Sequence, residues 1–277
     1  FCTKDSDCGN GKVCSNGYCS EDKFVESGTN ALPTELVNNC ALVYNGQIWT
    51  FSGKKAYSSS DGVSFNEVGS DVLPYSIQST VALPFMGKMF IVGASTQIQA
   101  SRKVLVNVTD DGLNWAELGM DQLPIALDLH TGVVYDNKMW VFGGVSNPGQ
   151  AQANQKVFYS SDGQDWIEAG NDSLPHANFA AASAFVLNNK MYITGASTVA
   201  AGTKVYSSTD GVTWTEESFG GNPLPVNVHG HLTVVRGNEV YLIGGYDNNT
   251  SMVIDKVYKS TDVKTWTQLS ALPKPMN

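Results

Sequence analysis

Three histidines carry the clearest potential for metal chemistry in this sequence. His130 and His231 stand at equivalent positions in two repeated segments, and His229 precedes His231 by two residues in "VHGHL". Imidazole is a common ligand for zinc and copper, so a metal bound where such segments meet is one hypothesis. The other segments place residues without an imidazole at this position, namely Asn39, Thr80 and Ala182. A metal site is the less favoured hypothesis, and no metal or other cofactor is predicted.

Carboxylates are the next requirement for chemistry, since glycoside hydrolysis uses two of them at one site. One face of the expected fold carries the loops that vary in length between repeats. The acidic residues expected there are scattered over separate repeats: Glu35, Asp128, Asp247 and Asp255. The sequence contains no nucleophile elbow, phosphate-binding loop or dinucleotide-binding fingerprint. An enzyme is therefore the less favoured class, and a carbohydrate-active enzyme is kept as an alternative.

Four of the five cysteines crowd into residues 1–22, a segment with few apolar side chains: Cys2, Cys8, Cys14 and Cys19. Such a segment cannot form a hydrophobic core, so disulfides are expected to hold it together. Zinc is the competing interpretation, but the cysteine spacing fits zinc knuckles poorly and no histidine lies nearby. Cys40 is left over in the apolar run "NNCALVYN" and is predicted to be a buried free thiol. The sequence does not choose among the possible pairings.

Composition argues against several classes of partner. The 277 residues carry a formal net charge of -9 and a pI near 4.8, without a basic run, which disfavours nucleic acid and anionic membranes. No stretch approaches the roughly 18 apolar residues of a membrane-spanning helix. The chain opens at Phe1 without a methionine, so we expect a processed or excised chain. Predicted N-glycosylation sites fit a secreted protein and lie at Asn107, Asn171, Asn248 and Asn249.

A repeat reveals the elements that would position these residues. A sequence motif typified by "KVYSSTDGVTWTEES", residues 204–218, occurs five times, with its aspartate at positions 61, 111, 162, 210 and 262. An aromatic residue follows four positions later in each copy: Phe65, Trp115, Trp166, Trp214 and Trp266. Upstream of each copy lies a tight-turn signal and an alternating apolar strand, as in "DNKMWVFGG". Four short strands are therefore predicted in each of five units, at about 34–74, 75–124, 125–175, 176–225 and 226–275.

The repeat predicts an all-β fold, because no window of ten or more residues shows a helical period. Repeated four-stranded antiparallel units of this length are typical of a β-propeller, here with five blades within residues 23–277. Over residues 33–275 the chain resembles the kelch and galactose-oxidase-like propellers, although the double glycine after the second strand stands only at 143–144 and 244–245. The resemblance implies a structural role for the repeated histidines. The copper site of galactose oxidase needs paired tyrosine and histidine ligands and a cysteine–tyrosine crosslink. No such set can be mapped onto this sequence, so oxidase activity is not expected.

The repeated Asp-Gly corner is interpreted as turn chemistry. The carboxylate can accept hydrogen bonds from backbone N–H groups two residues on, and glycine takes the φ > 0 position. The following aromatic is expected to open the outer strand and to pack against the neighbouring blade. The aromatics of the second strands are also expected to be packing residues: Trp49, Phe90, Trp140, Tyr192 and Tyr241. The corner resembles the Asp-box of sialidases with a spacing one residue shorter, and in both families the motif is structural.

The N-terminus holds one outer strand more than the repeat requires. Residues 24–33, "FVESGTNALP", align without a gap on residues 166–175, "WIEAGNDSLP". The spare strand at residues 23–28 could augment the last blade, mimic part of a vanished sixth blade, or pair with another copy of the chain. The last option would build a filament or surface coat. The preceding segment 1–22 resembles the small EGF-like or EB-type cysteine modules of secreted proteins, which implies an extracellular setting.

Only the second-to-third-strand loops and the connections between units vary in length, so they form the expected binding face. Their glutamine, asparagine and serine content favours hydrogen bonding to a neutral polar partner. The candidate binding residues on these loops are Gln97, Gln99, Asn147, Gln150, Gln152, Asn154, Asp128, Asp247 and Asn248. The sequence therefore predicts a secreted, non-catalytic binding or scaffold domain that recognises a protein or a glycan.

Overall fold

The computed structural model describes residues 12–15, 18–21, 32, 36, 39–69, 71–95, 104–118, 123–125, 127–146, 152–177, 179–217 and 223–276. Within these ranges the regular elements are all β-strands, and most of them belong to five four-stranded antiparallel sheets. In this part of the chain, no helix has the length and hydropathy needed to cross a membrane. The all-β prediction is confirmed.

The strands follow the chain through sheets that we number I to V. A separate hairpin comes first, with β1 (Lys12–Ser15) and β2 (Tyr18–Glu21). Sheet I contains β3 (Cys40–Tyr44), β4 (Gln47–Ser52), β5 (Lys55–Ser59) and β6 (Asn66–Gly69). Sheet II contains β7 (Ile77–Phe85), β8 (Lys88–Ser95), β9 (Val104–Thr109) and β10 (Ala116–Glu117).

The remaining sheets repeat this order, and two of them carry additional short strands. Sheet III contains β11 (Thr131–Tyr135), β12 (Lys138–Phe142), β15 (Val157–Ser160) and β16 (Ile167–Glu168). Between β12 and β15, β13 (Val145–Ser146) and β14 (Gln152–Ala153) form a separate two-stranded hairpin. Sheet IV contains β17 (Ser183–Leu187), β18 (Lys190–Thr194), β19 (Val205–Ser208) and β20 (Thr215–Glu216). Sheet V contains β22 (Leu232–Arg236), β23 (Glu239–Ile243), β26 (Val257–Ser260) and β27 (Thr267–Gln268). Beside it lies a small sheet of β21 (Val228–His229), β24 (Tyr246–Asp247) and β25 (Met252–Val253).

Sheet III shows how the sequence produces one unit. Residues 136 and 137 join β11 to β12 with φ angles of 47° and 53°, the left-handed pair of a type I′ hairpin. Side chains of β12 then alternate between two cores: Met139 and Val141 belong to the core shared with sheet II, whereas Trp140 and Phe142 face sheet IV. Burial on both faces explains why this strand is an unbroken apolar run.

The late aromatics of sheets II to V each pack on the preceding sheet. Trp115 meets Phe51 edge to face with ring centroids 5.4 Å apart, and Trp214 meets Phe142 in the same way at 5.5 Å. The innermost strands follow the same succession, with β3 against β7, β7 against β11, β11 against β17, and β17 against β22. Four-stranded antiparallel sheets packed face to face in chain order are the architecture of a β-propeller. The packing role predicted for these aromatics is confirmed.

The described part of the N-terminal segment is the β1–β2 hairpin, in which Cys14 lies opposite Cys19 in the strand register. Cys2 and Cys8 lie outside the described residues, and so does the strand predicted at 23–28. Cys40 on β3 is a buried free thiol, as its apolar surroundings predicted. Burial raises the pKa of this thiol to about 12, although a hydrogen bond from Thr80 opposes the shift.

Candidate functional site

Antiparallel strand order gives the propeller two distinct faces. The tight turns between first and second strands and the Asp-Gly corners lie at one end of each sheet, which we call the corner face. The second-to-third-strand loops and the connections between sheets lie at the other end, which we call the loop face. Residues 61–64 mark the corner face of sheet I, and residues 195–203 mark the loop face of sheet IV.

The corner aspartates are fully engaged by their own turns. Asp210 accepts hydrogen bonds through Oδ1 from the backbone N–H groups of Val212 and Thr213, both at 2.8 Å, and from the Ser208 hydroxyl at 3.0 Å. The Thr213 N–H is the main cause that holds the pKa of Asp210 below its usual value. The same set of bonds recurs at Asp61, Asp111, Asp162 and Asp262. The prediction that the corner is turn chemistry is confirmed.

His130 and His231 face sideways into the preceding sheet. His130 Nε2 lies 3.1 Å from the Val92 carbonyl, and His231 Nε2 lies 2.9 Å from Thr194 Oγ1. Both side chains are buried, and the Nδ1 atom of each lacks a hydrogen-bond partner. Burial lowers the pKa of His130, and it lowers the pKa of His231 to about 3. Neutral imidazoles that tie one sheet to the next are therefore part of the scaffold.

Metal binding finds little support around these histidines. Among the described residues, no group of three or more histidine, cysteine or acidic side chains is placed to hold a metal ion. His229, the third candidate, uses Nδ1 to donate a hydrogen bond of 2.8 Å to Asn248 Oδ1. Its ring lies against Tyr246 with the centroids 5.0 Å apart. Each of the three histidines thus has its own hydrogen-bond partner, and the three do not share a ligand position.

Asn227, His229 and Asn248 form a hydrogen-bonded group on the loop face of sheet V, which we call the amide–imidazole cluster. The Asn248 Nδ2 group donates to Asn227 Oδ1 at 2.8 Å and to the Ala196 carbonyl at 2.9 Å. Asn227 Nδ2 in turn donates to the Val199 carbonyl at 3.0 Å. The cluster therefore fastens the loop of sheet IV to the loop of sheet V. With its Nδ1–H donating, a neutral His229 keeps Nε2 as an acceptor.

Regular backbone pairing underlies this part of the loop face. The hairpin β24–β25 and the neighbouring β21 form a three-stranded sheet, with Val228 opposite Asp247 and His229 opposite Tyr246. Asp247 is buried and its carboxylate accepts a hydrogen bond of 2.9 Å from the Asn249 N–H. Loops held in this way are preorganised, so a partner would lose little free energy in ordering them.

Comparison with known proteins agrees with this architecture. The family model described as DUF6242 beta propeller domain matches residues 8–253. The chain belongs to this DUF6242 propeller family. The solved structure of YjhT is similar with a TM-score of 0.67 and 14% sequence identity, over 88% of this chain and 86% of that one. Among curated proteins none matches.

These comparisons confirm the propeller and leave its activity open. At 14% identity, the likeness to YjhT concerns the fold alone. Propellers host many unrelated functions, so function has to be argued from the site rather than from the architecture. Membership of the kelch type stays a prediction, because the matching family is described by its DUF6242 propeller domain.

Several predicted binding residues of the DUF6242 propeller have structural roles. Asn154 is buried, and its Nδ2 group donates to the carbonyls of Gly143 and Gly144, both at 3.1 Å. Asp128 is half-buried and accepts a hydrogen bond from the Leu129 N–H at 3.0 Å. Gln152 is described only as part of β14. The remaining predicted residues lie outside the described part of the chain: Gln97, Gln99, Asn147 and Gln150.

The predicted glycosylation sites differ in accessibility. Asn107 is 3% exposed on β9, so a glycan there would have to enter the interface between sheets, which argues against its modification in the folded chain. Asn248 has its amide nitrogen committed to two hydrogen bonds within the amide–imidazole cluster. Asn171 and Asn249 are exposed. Accessibility therefore favours these last two as modification sites.

Exposed apolar side chains around the cluster were missed by the sequence reasoning. Val199 is 63% exposed and Met252 64%, and both lie on the loops that the cluster joins. Their loops, "STVAAG" and "DNNTSMV", combine an apolar residue with several polar ones. The overall polar composition of such a loop does not reveal that a single apolar side chain is exposed. Together with Tyr246 they give the loop face apolar contact area beside its hydrogen-bonding groups.

A concavity lies on the corner face of sheet IV. It has a volume of about 310 Å³, and its lining includes Lys190, Ser207 and Asp210. Polar lining groups are already used within the fold, since Ser207 donates to Glu217 at 2.6 Å and Asp210 accepts from Ser208 in its own corner at 3.0 Å. The loop face therefore remains the better candidate site.

Proposed function

We propose that this propeller is a secreted, non-catalytic binding or scaffold domain with five complete blades. Its loop face recognises a neutral polar partner, either a protein or a glycan. The observation that carries the proposal is the amide–imidazole cluster on ordered loops, flanked by the exposed side chains of Val199 and Met252. Secretion is supported by the four N-terminal cysteines and by the exposed sequons at Asn171 and Asn249.

The chemistry of the loop face favours a neutral partner over a charged one. The amides of Asn227 and Asn248 hold the two loops in place, and the half-buried rings of His229 and Tyr246 lie against each other beside them. Aromatic rings with nearby amides suit either the apolar face and hydroxyl groups of a sugar or a polar loop of a protein. Preorganised loops reduce the entropic cost of binding either one.

Catalysis is disfavoured by the state of the titratable groups. A general acid or base has to reach the substrate, whereas His130 and His231 are buried and neutral. Asp247 is also buried, where its carboxylate caps the Asn249 N–H. A carbohydrate-active enzyme remains the rival hypothesis, and Asp128 and Asp247 are the carboxylates on which it would depend.

Matched substitutions on the two faces test the proposal. Val199→Asp places a charge on the loop face, and Val63→Asp places the same charge on the corner face, where the native valine is 40% exposed. Binding of the full chain to a glycan array and to proteins of its native medium should be lost with Val199→Asp and kept with Val63→Asp. Retention of binding by Val199→Asp would refute the loop-face assignment. Hydrolysis of a substrate panel that is abolished by Asp128→Asn or Asp247→Asn would favour the enzyme instead.

A further inference from the structure

The concavity on the corner face of sheet IV has a buried polar floor. Its volume of about 310 Å³ lies at the lower end of the range of small-molecule sites, roughly 300 to 1,000 Å³. Ser207 and Ser208 are 3% and 4% exposed, and the exposed residues Lys190, Thr209 and Thr215 also line the space. The concavity therefore suits a compact polar ligand.

A comparison with sheet III explains why this space is open. In sheet III, Tyr159 lies opposite the second-strand aromatic Trp140. Ser207 lies opposite the corresponding aromatic of sheet IV, so a hydroxymethyl group stands where sheet III has a phenol ring. Lys138 and Lys190 begin the second strands of the two sheets. The Lys138 ammonium lies over the Tyr159 ring, 5.0 Å from its centroid, whereas Lys190 lines the concavity.

The outer strand differs between the two sheets in the same direction. Ile167 lies opposite Tyr159 in sheet III, whereas Thr215 lies opposite Ser207 in sheet IV. An apolar pair beside the lysine is thus replaced by a pair of hydroxyl groups. Because hydroxyl groups gain little from apolar packing, the sheet IV version of this surface is suited to hydrogen bonding with a ligand.

The hydrogen-bonding groups of the concavity select the class of ligand. Ser207 donates its hydroxyl proton to Glu217 Oε1 at 2.6 Å, so its oxygen can only accept from a ligand. Lys190 has N–H donors and no acceptor. A ligand hydroxyl can donate to Ser207 and accept from Lys190. An oxyanion can only accept and would meet the carboxylate of Asp210, which also lines the space, so a neutral polyhydroxylated ligand fits best.

Glu217 fixes the acceptor before a ligand arrives. Its side chain is 10% exposed, and its second carboxylate oxygen lies 3.2 Å from the ammonium of Lys264 at the corner of sheet V. The Ser207 hydroxyl is therefore oriented by a carboxylate that two sheets hold in place. Preorganisation of this kind lowers the entropic cost of binding a small ligand.

We propose that this concavity binds one monosaccharide unit of a neutral glycan. Ser207 accepts a hydrogen bond from a sugar hydroxyl, and Lys190 and Thr215 donate to the sugar oxygens. The concavity lies on the corner face, away from the amide–imidazole cluster on the loop face. Binding of a sugar here is therefore independent of recognition at the loop face and gives the propeller a second binding position.

Heteronuclear NMR of the full chain tests this site, with the methyl glycosides of glucose, galactose and mannose as probes. At least one glycoside should shift the backbone amide signals of Thr209 and Thr215 in a saturable manner. Shifts at His229 or Asn248 report separately on the loop face. Failure of this site and failure of the loop-face proposal are therefore distinguishable.

Substitutions at equivalent positions of two sheets provide the variants and the control. Ser207→Tyr supplies the ring that sheet III has at this position and should abolish the shifts. Thr215→Val removes one hydroxyl from an exposed position, so it should weaken binding about three- to tenfold and still fold where Ser207→Tyr does not. Ser58→Tyr is the matched control, because Ser58 lies opposite the second-strand aromatic of sheet I, where Gln47 replaces the lysine. It should leave the shifts unchanged.

Three results would overturn the proposal. The first is the absence of a saturable shift at Thr209 and Thr215 with all three glycosides. The second is binding that survives Thr215→Val and Ser207→Tyr unchanged, or that Ser58→Tyr removes as fully as Ser207→Tyr does. The third is a saturable shift of the same two amides by sodium sulfate at lower concentration than by any glycoside, which would show that the concavity is an anion site.

Discussion

Protonation of His231 should destabilise this propeller at mildly acidic pH. Its imidazole is 6% exposed, and Nε2 already donates to Thr194 Oγ1, since that hydroxyl is directed at the Ser183 carbonyl. A second proton would have to enter at Nδ1, a buried atom without a hydrogen-bond partner. Burial and the neighbouring His229 accordingly lower the pKa of His231 to about 3. The perturbation we consider is a change of pH from 7.5 to 5.0.

The size of the effect follows from linkage between protonation and unfolding. In the unfolded chain histidine has a pKa of about 6.5, so it binds a proton at pH 5 that folded His231 does not bind. Stability is therefore full above pH 6.5, falls as the pH decreases below that value, and levels off near pH 3. At pH 5 the difference is about 1.5 pH units, which corresponds to a loss of about 2 kcal/mol in the free energy of unfolding. His130 adds a loss of the same sign.

Urea unfolding at the two pH values measures this loss. His231→Gln keeps a donor near the Nε2 position without a titratable ring, so its free energy of unfolding should depend on pH by about 2 kcal/mol less than that of the native chain. His176→Gln is the matched control, because it removes an imidazole that is exposed rather than buried. The corner aspartates contribute little between these pH values, since hydrogen bonds hold the pKa of Asp210 low. Equal pH dependence in His231→Gln and the native chain would refute the reasoning.

Three further predictions concern single side chains. Gly211→Ala should lower the free energy of unfolding in urea by about 2 to 4 kcal/mol, because it combines φ +73° with a clash against Trp140. Gly46→Ala, at the same φ but in open space, should lower it by about 1 kcal/mol, and equal losses would contradict this. Asp210→Ala should lower stability by about 1 kcal/mol in thermal unfolding, since two backbone N–H groups lose their acceptor, and an unchanged Tm would disprove it. Cys40 should resist a thiol reagent at pH 8 until the chain unfolds, because burial raises its pKa to about 12, and rapid labelling of the folded chain would count against its burial.

Local chemistry made the corners and strands predictable from the sequence. An aspartate can reach the N–H groups two and three residues on in any fold, so the turn at Asp162 needs no tertiary information. The alternating run around Trp140 likewise encodes a strand buried on both faces. Repetition of both patterns at a fixed period then implies stacked sheets, which is why the propeller followed before any side-chain contact was known.

Side-chain direction on the loop face could not be predicted in the same way. Composition shows how many hydrogen-bonding groups a loop has, but not whether its own backbone uses them. The side-chain amide of Asn154 donates hydrogen bonds to the carbonyls after β12, and that of Asn248 donates to a carbonyl in the loop of sheet IV. His130 and His231 similarly turn sideways to a neighbouring sheet, which depends on packing between distant units. The predicted binding-face residues thus include several whose hydrogen-bonding groups serve the protein's own loops.

The fifth corner shows how two distant positions of the repeat constrain each other. Gly211 is the corner residue that meets the large Trp140 ring, and no side chain fits between them. Val263 takes the corner position of sheet V with φ +60°, a left-handed conformation that costs a β-branched residue about 1 to 2 kcal/mol. Its side chain is 2% exposed in a core with Tyr192, a smaller ring than tryptophan, and such burial contributes about 1.5 to 3 kcal/mol. Burial of Val263 thus offsets the cost of its strained backbone. The residue type allowed at a corner therefore depends on the size of the aromatic ring in the preceding sheet as well as on the turn itself.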